Sequence, residues 1–239
     1  MKEDSSAHVQ SQDRQTRRVQ HWWPLVSGLI ALALVLVGGA LIAVRQFDVV
    51  PYEVDQEWMD ELLEYRIAPL ETVALFFDAT GGGVIGVFVI PIVVAGLLAV
   101  ARRFWAVFYF LAASIASALM VQVVKNLVGR PRPEDILVTA DFGSFPSGHT
   151  ANAATLAVVL GVILHRWWVW GIGALWVFLM LLSRNYLGAH WLTDTVGGLV
   201  LGVAVALIVW APFANRLYRE HLQRKGVLDR THQVPAGRG

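Results

Sequence analysis

Between Ser183 and Asp194 the chain reads Ser-Arg-Asn-Tyr-Leu-Gly-Ala-His-Trp-Leu-Thr-Asp, with a long apolar run on either side. A charged side chain at mid-bilayer costs about 2.5–3.5 kcal/mol on insertion scales, so such groups are rare there and usually functional. His190 and Asp194 are four residues apart, which on a helix puts them on one face and within reach of each other. A carboxylate beside an imidazole fixes its tautomer and raises its basicity.

Two other polar clusters interrupt the apolar sequence. One is Lys125-Asn-Leu-Val-Gly-Arg-Pro-Arg132-Pro133 and the other is Pro146-Ser147-Gly148-His149. Together the three clusters supply fixed cations, two histidines and one carboxylate, an inventory suited to a phosphate ester. Arginine forks hold phosphate oxygens in pairs, and lysine adds a point charge. Ser147-Gly148 stands where a helix begins. The free N–H groups and positive dipole end there attract anions, and glycine lets a ligand approach the backbone.

Each residue also has a plain structural reading. Lys125, Arg132 and Arg184 can snorkel to lipid headgroups. Ser147 can be an N-cap, and His149 a satisfied interfacial histidine. His190 and Asp194 can form a structural hydrogen bond or share a metal, although the surrounding cations would repel a divalent ion. Arg130 reads as a headgroup contact and Asp78 as a helix-end cap.

Composition sets the frame for these clusters. The 239 residues are 56% hydrophobic and 15% charged, too apolar for an ordinary soluble domain and fitting for a polytopic membrane protein. A net charge of +1 gives no electrostatic case for nucleic acid. The absence of cysteine excludes disulfides, thiol nucleophiles and thiolate metal sites. Several of the ten tryptophans lie at the ends of apolar runs, as an interfacial belt would have them.

Residues 1–21 read as a polar, disordered tail without the features of a signal peptide. Apolar runs then predict six transmembrane helices, at 24–44, 83–101, 104–124, 149–164, 168–182 and 192–211. The expected fold is all-α, a six-helix membrane bundle over 22–212 with a basic polar tail over 213–239. Residues 46–66 are acidic, and Val54, Trp58 and Leu62 recur every four residues. That pattern predicts a short amphipathic helix on the membrane surface between spans 1 and 2, with a solvated acidic loop as the alternative. A connecting helix precedes Gly81-Gly82-Gly83. Basic short segments at the N-terminal tail, Arg102-Arg103, Arg166 and the C-terminal tail place both termini in the cytoplasm. Segments 125–147 and 183–191 then face outward. Their cations break the positive-inside pattern, which suggests that they are kept for chemistry.

The three clusters resemble the tripartite signature of the type 2 phosphatidic acid phosphatase superfamily. That signature is Lys, six residues, Arg-Pro; then Pro-Ser-Gly-His; then Ser-Arg, five residues, His, three residues, Asp. Lys125 to Pro133, Pro146 to His149 and Ser183 to Asp194 match it at every signature position. The resemblance implies a metal-free, cofactor-free membrane lipid phosphatase with its site near the outer bilayer surface. It implies that His190 is the nucleophile, Asp194 its orienting partner and His149 the acid that protonates the leaving oxygen. Lys125, Arg132, Ser147, Gly148 and Arg184 would hold the phosphate oxygens. Undecaprenyl diphosphate is the favoured substrate, with phosphatidylglycerophosphate and phosphatidic acid as competitors. Transfer of the phosphoryl group to another lipid is a catalytic alternative. A non-catalytic carrier of anionic lipids is the alternative from another class; it would use the same cations but has no need of the imidazole–carboxylate pair.

Overall fold

A computed structural model describes residues 3–45 and 52–224, with side chains from 22 to 223. Lys2, Asp48 and the tail cations Lys225 and Arg230 lie outside the described residues. Helices and loops account for all of what is described. The helices are α1 (Glu3–Arg45), α2 (Glu53–Glu64), α3 (Ala68–Gly81), α4 (Ile90–Val100), α5 (Phe104–Val128), α6 (Gly148–Leu164), α7 (Trp167–Tyr186) and α8 (Leu192–Arg224). A π-helical turn, Ile85–Val89, leads into α4.

Four helical stretches are long and apolar enough to cross a membrane: Trp22–Arg45, Phe104–Val128, Trp167–Tyr186 and Leu192–Gln223. The pair Ala68–Gly81 and Ile85–Val100 would make a fifth span with a 44° bend, and Gly148–Leu164 is a shorter apolar helix. Leu34, Leu119 and Ile172 point outward and are largely exposed, as lipid-facing side chains are. The chain is a multi-pass membrane protein.

Several predicted boundaries move. Backbone 3–21 continues α1 as helix where a disordered tail was expected; no glycine or proline lies between Glu3 and Trp23 to stop it. The break in the second apolar stretch falls at 82–84, with α3 before it, and the bent α3–α4 pair has the form of a broken span or of a re-entrant loop. Helix α7 runs on to Tyr186, which puts Ser183 and Arg184 on its last turn and not in a loop. Helix α8 passes through Pro212 and continues into the basic segment, to Arg224. The acidic segment does form a helix, α2. Its buried residues, however, are Asp55 and Met59, and Val54 is 51% exposed. A polar contact therefore fixes the rotation of α2, with Trp58 and Leu62 of the apolar stripe half-buried beside it.

Helix α8 packs against α1, α5 and α6, while α6 also packs on α5 and α7, and α3 lies along α7. Tyr109, Phe110, Ala113, Val159, Ile163 and Ala206 share one buried core between α5, α6 and α8. Small residues let α6 and α8 close up: a Cβ on Gly198 would run into the Ser147 carbonyl, and one on Gly202 into the Ala151 carbonyl. Because α5 to α8 run back and forth, the end of α5, the start of α6, the end of α7 and the start of α8 meet at one end of the bundle. Those four termini carry the three motifs.

Candidate active site

Helix α5 delivers Lys125 in its last turn and is stopped by Gly129, whose φ of +62° is readily adopted only by glycine. The Gly129 N–H donates to the Lys125 carbonyl at 2.8 Å, and the chain turns there toward Arg130 and Arg132. Buried Lys125 donates to Asp141 Oδ1 at 2.9 Å and to the Gly143 carbonyl at 3.1 Å. Arg132 donates to the same carboxylate oxygen at 2.6 Å. It also donates to the carbonyls of Gly143 at 2.9 Å and Ala189 at 2.5 Å. Its Nη1 lies 3.4 Å from His190 Nε2.

Ser147 caps α6, its hydroxyl accepting from the Thr150 N–H at 3.5 Å and from the Thr150 hydroxyl at 3.2 Å. The cap reading of Ser147 therefore holds, and it leaves a helix N-terminus at the site. The Ser147 N–H donates to the Asp194 carbonyl at 2.9 Å, locking the start of α6 onto the start of α8.

Arg184 is buried on the last turn of α7 and donates from Nη1 to Asp78 of α3. Its buried Nε makes no hydrogen bond. His149 Nε2 stands 3.3 Å from the same Asp78 carboxylate oxygen and 3.1 Å from the Asp78 carbonyl. Asp78 is thus the shared anchor of Arg184 and His149, not a simple helix-end cap. With Nε2 turned to Asp78, Nδ1 is the nitrogen of His149 left to carry a proton to a ligand.

His190 is 2% exposed and sits in the turn before α8, not on the helix face assumed from its spacing. The buried Asn185 side chain holds that turn by donating to the His190 carbonyl at 2.9 Å. His190 Nδ1 nevertheless faces Asp194 Oδ2, at 3.6 Å. That is ion-pair range and longer than a hydrogen bond, and Nδ1 has no other partner. Nε2 turns the other way, toward Arg132. Burial pushes the His190 imidazole well below the usual histidine range, reinforced by the positive charges of Arg184, Arg132, Lys125 and His149. The ring is therefore neutral at pH 7, with a lone pair available on the side of the cations.

Arg130 is not a headgroup contact. It is 5% exposed and bridges Asp194 Oδ1 and Asp55 Oδ2, at 2.6 and 2.7 Å. Sequence reading also missed Asp141, which no periodicity marks. Asp78 had given a signal, as a lone acid in an apolar run. Asp55, Asp78 and Asp141 each pair with one or more of the cations that the motifs supply.

Asp141 lies where an anion would be held. Burial opposes ionisation of its carboxyl, but the hydrogen bond and charge of Lys125 and the charge of Arg132 outweigh that and hold it below the usual carboxylate range. The side chain is 57% exposed, so an incoming phosphate can displace it. Asp141→Asn should therefore tighten inhibition by vanadate, a mimic of the pentacoordinate phosphoryl state. A displaced exposed ion pair worth about 1 kcal/mol corresponds to about five-fold in the inhibition constant. Unchanged or weaker inhibition would mean that Asp141 only orders the loop.

Comparison with known proteins agrees with this geometry. Residues 106–218 match the profile of the PAP2 superfamily. Phosphatidylglycerophosphatase B of Bacillus subtilis (strain 168) is 33% identical over 135 residues, which is 51% of this chain and 66% of the relative. Undecaprenyl-diphosphatase of Sulfolobus acidocaldarius is 33% identical over 78 residues, covering 33% of this chain and 34% of the relative. A lipid A 4'-phosphatase of Porphyromonas gingivalis is 34% identical over 70 residues, 28% of each chain. None of these three relatives is matched over more than 66% of its own length.

Among solved structures, a transmembrane PAP2 type phosphatidylglycerolphosphate phosphatase from Bacillus subtilis superposes with a TM-score of 0.67 and 25% identity. The match covers 80% of this chain and 96% of that one. Aquifex aeolicus LpxE superposes with a TM-score of 0.57 and 25% identity, over 64% of this chain and 93% of that one. Signature, helix order and relatives point the same way, and the chain belongs to the PAP2 superfamily.

Proposed function

We propose that the protein hydrolyses a lipid phosphate or diphosphate through a phosphohistidine at His190. The observation that carries this reading is the buried imidazole set between Asp194 on its Nδ1 side and a basic pocket on its Nε2 side. Phosphoryl transfer needs positioning and charge stabilisation, and Lys125, Arg132, Arg184 and the start of α6 supply both. His190 Nε2 attacks phosphorus with its lone pair, and the bond from phosphorus to the lipid oxygen breaks. The leaving oxygen takes its proton from His149 Nδ1. Water then attacks the phosphohistidine and gives its proton to His149. The P–N bond breaks, its electron pair returns to Nε2, and inorganic phosphate leaves. The Asp194 carboxylate, 3.6 Å from Nδ1, favours the proton on that nitrogen by its charge throughout.

On this reading α6 and the bent α3–α4 pair cross as well as the four long helices, six crossings that leave both termini on one side, and the basic segments at Arg102-Arg103 and Arg166 favour the cytoplasm for that side and the outer face for the site. Phosphatidylglycerophosphate comes first among substrates, because the relative matched over most of its length is named for it. Undecaprenyl diphosphate is the second reading, favoured by the archaeal relative.

The test is phosphate release by the detergent-purified full chain with chelator present. Phosphatidylglycerophosphate, undecaprenyl diphosphate and phosphatidic acid are offered in parallel, with His190→Ala as control. Release that survives chelator and vanishes in the variant supports the reading, and the relative rates rank the substrates. No release from any lipid by folded protein defeats it and favours the anionic-lipid carrier.

The neutral His190 also sets a pH dependence. The reactive form needs this imidazole unprotonated, and its proton affinity is lowered. The acid limb of kcat/KM should therefore lie below about 6.5, the ordinary histidine value. Phosphate release then persists as pH falls through 6.5 and fails only further down. The second ionisation of a phosphate monoester, near about 6, is measured separately on the substrate by phosphorus NMR. An enzyme limb at or above 6.5 would contradict a neutral, charge-surrounded nucleophile.

A further inference from the structure

Helix α2 lies outside residues 106–218, yet it sends one fully buried acid into the site. Asp55 and Asp194 are both 0% exposed, and the Arg130 guanidinium sits between them. Nη1 donates to Asp194 Oδ1 at 2.6 Å, and Nη2 to Asp55 Oδ2 at 2.7 Å. Thr193 completes the cluster. Its hydroxyl accepts from Arg130 Nη1 at 2.7 Å and donates to Asp55 Oδ2 at 2.7 Å. Its backbone N–H donates to Asp55 Oδ1 at 2.9 Å. The rings of Tyr52 and Trp191 lie 5.8 and 5.7 Å from the guanidinium carbon, within cation–π range.

Asp194 has two carboxylate oxygens and both are committed. Oδ1 belongs to Arg130. Oδ2 accepts the Trp191 N–H at 2.9 Å and faces His190 Nδ1. The rotation of this carboxylate, and so the oxygen it offers to histidine, is set by Arg130. Arg130 in turn is held by Asp55, because a planar guanidinium with two anchored nitrogens cannot swing. Buried charges of this kind hold geometry only while every partner is present.

We infer that Arg130 and Asp55 are positioning residues for the Asp194–His190 pair, so that α2 is a working part of the reaction centre and not a connector between spans. Neither residue touches phosphate, and their effect reaches the reaction only through Asp194. This inference rests on the phosphatase reading for its kinetic arm. Its second arm, the titration of His190 itself, does not need turnover. Around His190 stand the charges of Arg184, Arg132, Lys125, His149 and Asp194. Asp55 acts from one step further out.

Asp55→Asn, Arg130→Lys and Thr193→Val are compared with wild type as folded, monodisperse full-length protein. The measurements are kcat and KM for phosphate release from phosphatidylglycerophosphate. The His190 ring is titrated by carbon NMR on labelled histidine, its signal identified by its absence in His190→Ala. Removing a partner one step from the reacting group should lower kcat about 10–100-fold. KM should stay within about two-fold, because the phosphate-holding cations are untouched. The His190 midpoint should move downward in Asp55→Asn, where Arg130 is left to act on Asp194 alone.

Thr193→Val removes hydroxyl bonds without removing charge, so it remains informative if a charge variant fails to fold. Unchanged kcat per folded molecule with only a lowered melting temperature would reduce the cluster to a structural clamp. A raised KM with kcat intact would make Arg130 a substrate contact. Either result overturns the inference. If wild type releases no phosphate, the phosphatase reading has failed by itself. The titration then decides this inference, and an unmoved midpoint overturns it.

Discussion

His190→Ala is expected to reduce phosphate release by on the order of 10⁴-fold or more, because among the described residues no other imidazole stands in the turn before α8. His149 cannot substitute: it stands in the first turn of α6 with its Nε2 turned to Asp78, and not in the turn before α8. The effect separates from misfolding in two ways. Binding of vanadate should survive in the variant, since Lys125, Arg132 and Arg184 remain. A protein-bound phosphoryl group, quenched at alkaline pH because a P–N bond is acid-labile, should be trapped in wild type and absent in the variant. Trapped label in His190→Ala, or turnover within ten-fold of wild type, would move the nucleophile elsewhere.

Asp194→Asn carries the second large effect, a loss in kcat of about 10⁴-fold, the size seen when an amide replaces the acid partner of a catalytic histidine. The substitution keeps volume and polarity but changes three things at once. The amide can donate where the carboxylate only accepts, which favours the tautomer with its proton on Nε2 and blocks attack. It withdraws the negative charge that stabilises the ring as its lone pair is spent. It also leaves Arg130 with Asp55 as its one carboxylate partner. KM should change little. Kinetics on protein that retains vanadate binding make the measurement clean, and a loss below ten-fold would make Asp194 a structural residue.

The legible parts of this molecule were those encoded by neighbours in sequence. Apolar runs gave four of the six expected spans as long apolar helices, because burial in lipid demands about 20 apolar residues in a row. The motif residues were legible because their spacing is short and their chemistry is out of place between such runs. Boundaries slipped where polar residues continue a helix, as Arg184 does on α7 and the basic segment does on α8. Arg130 was visible as a cation on the wrong side of the charge pattern, but its role was not. Its partner Asp55 is 75 positions away and sits in a segment where acids are plentiful. Asp78 stands 106 positions from Arg184, and Asp141 lies in a loop without periodicity. Pairs of that kind are made by helix packing. A pattern running every four residues marked α2 as a helix but gave no sign that Asp55 beside the stripe is its most buried residue, because the ion pair that buries it is made with a distant segment.

The position of Asp55 bears on how this protein can be taken apart. A fragment trimmed to residues 106–218 would keep the entire signature and all eight predicted site residues. It would lack Asp55 and Asp78, two acids supplied by α2 and α3. Grafting that fragment onto the leading helices of a relative would succeed only where the donor carries acids at both places. Modularity in this architecture therefore ends before the recognisable motifs begin, and a transplant must respect the electroneutrality of the centre as well as its sequence.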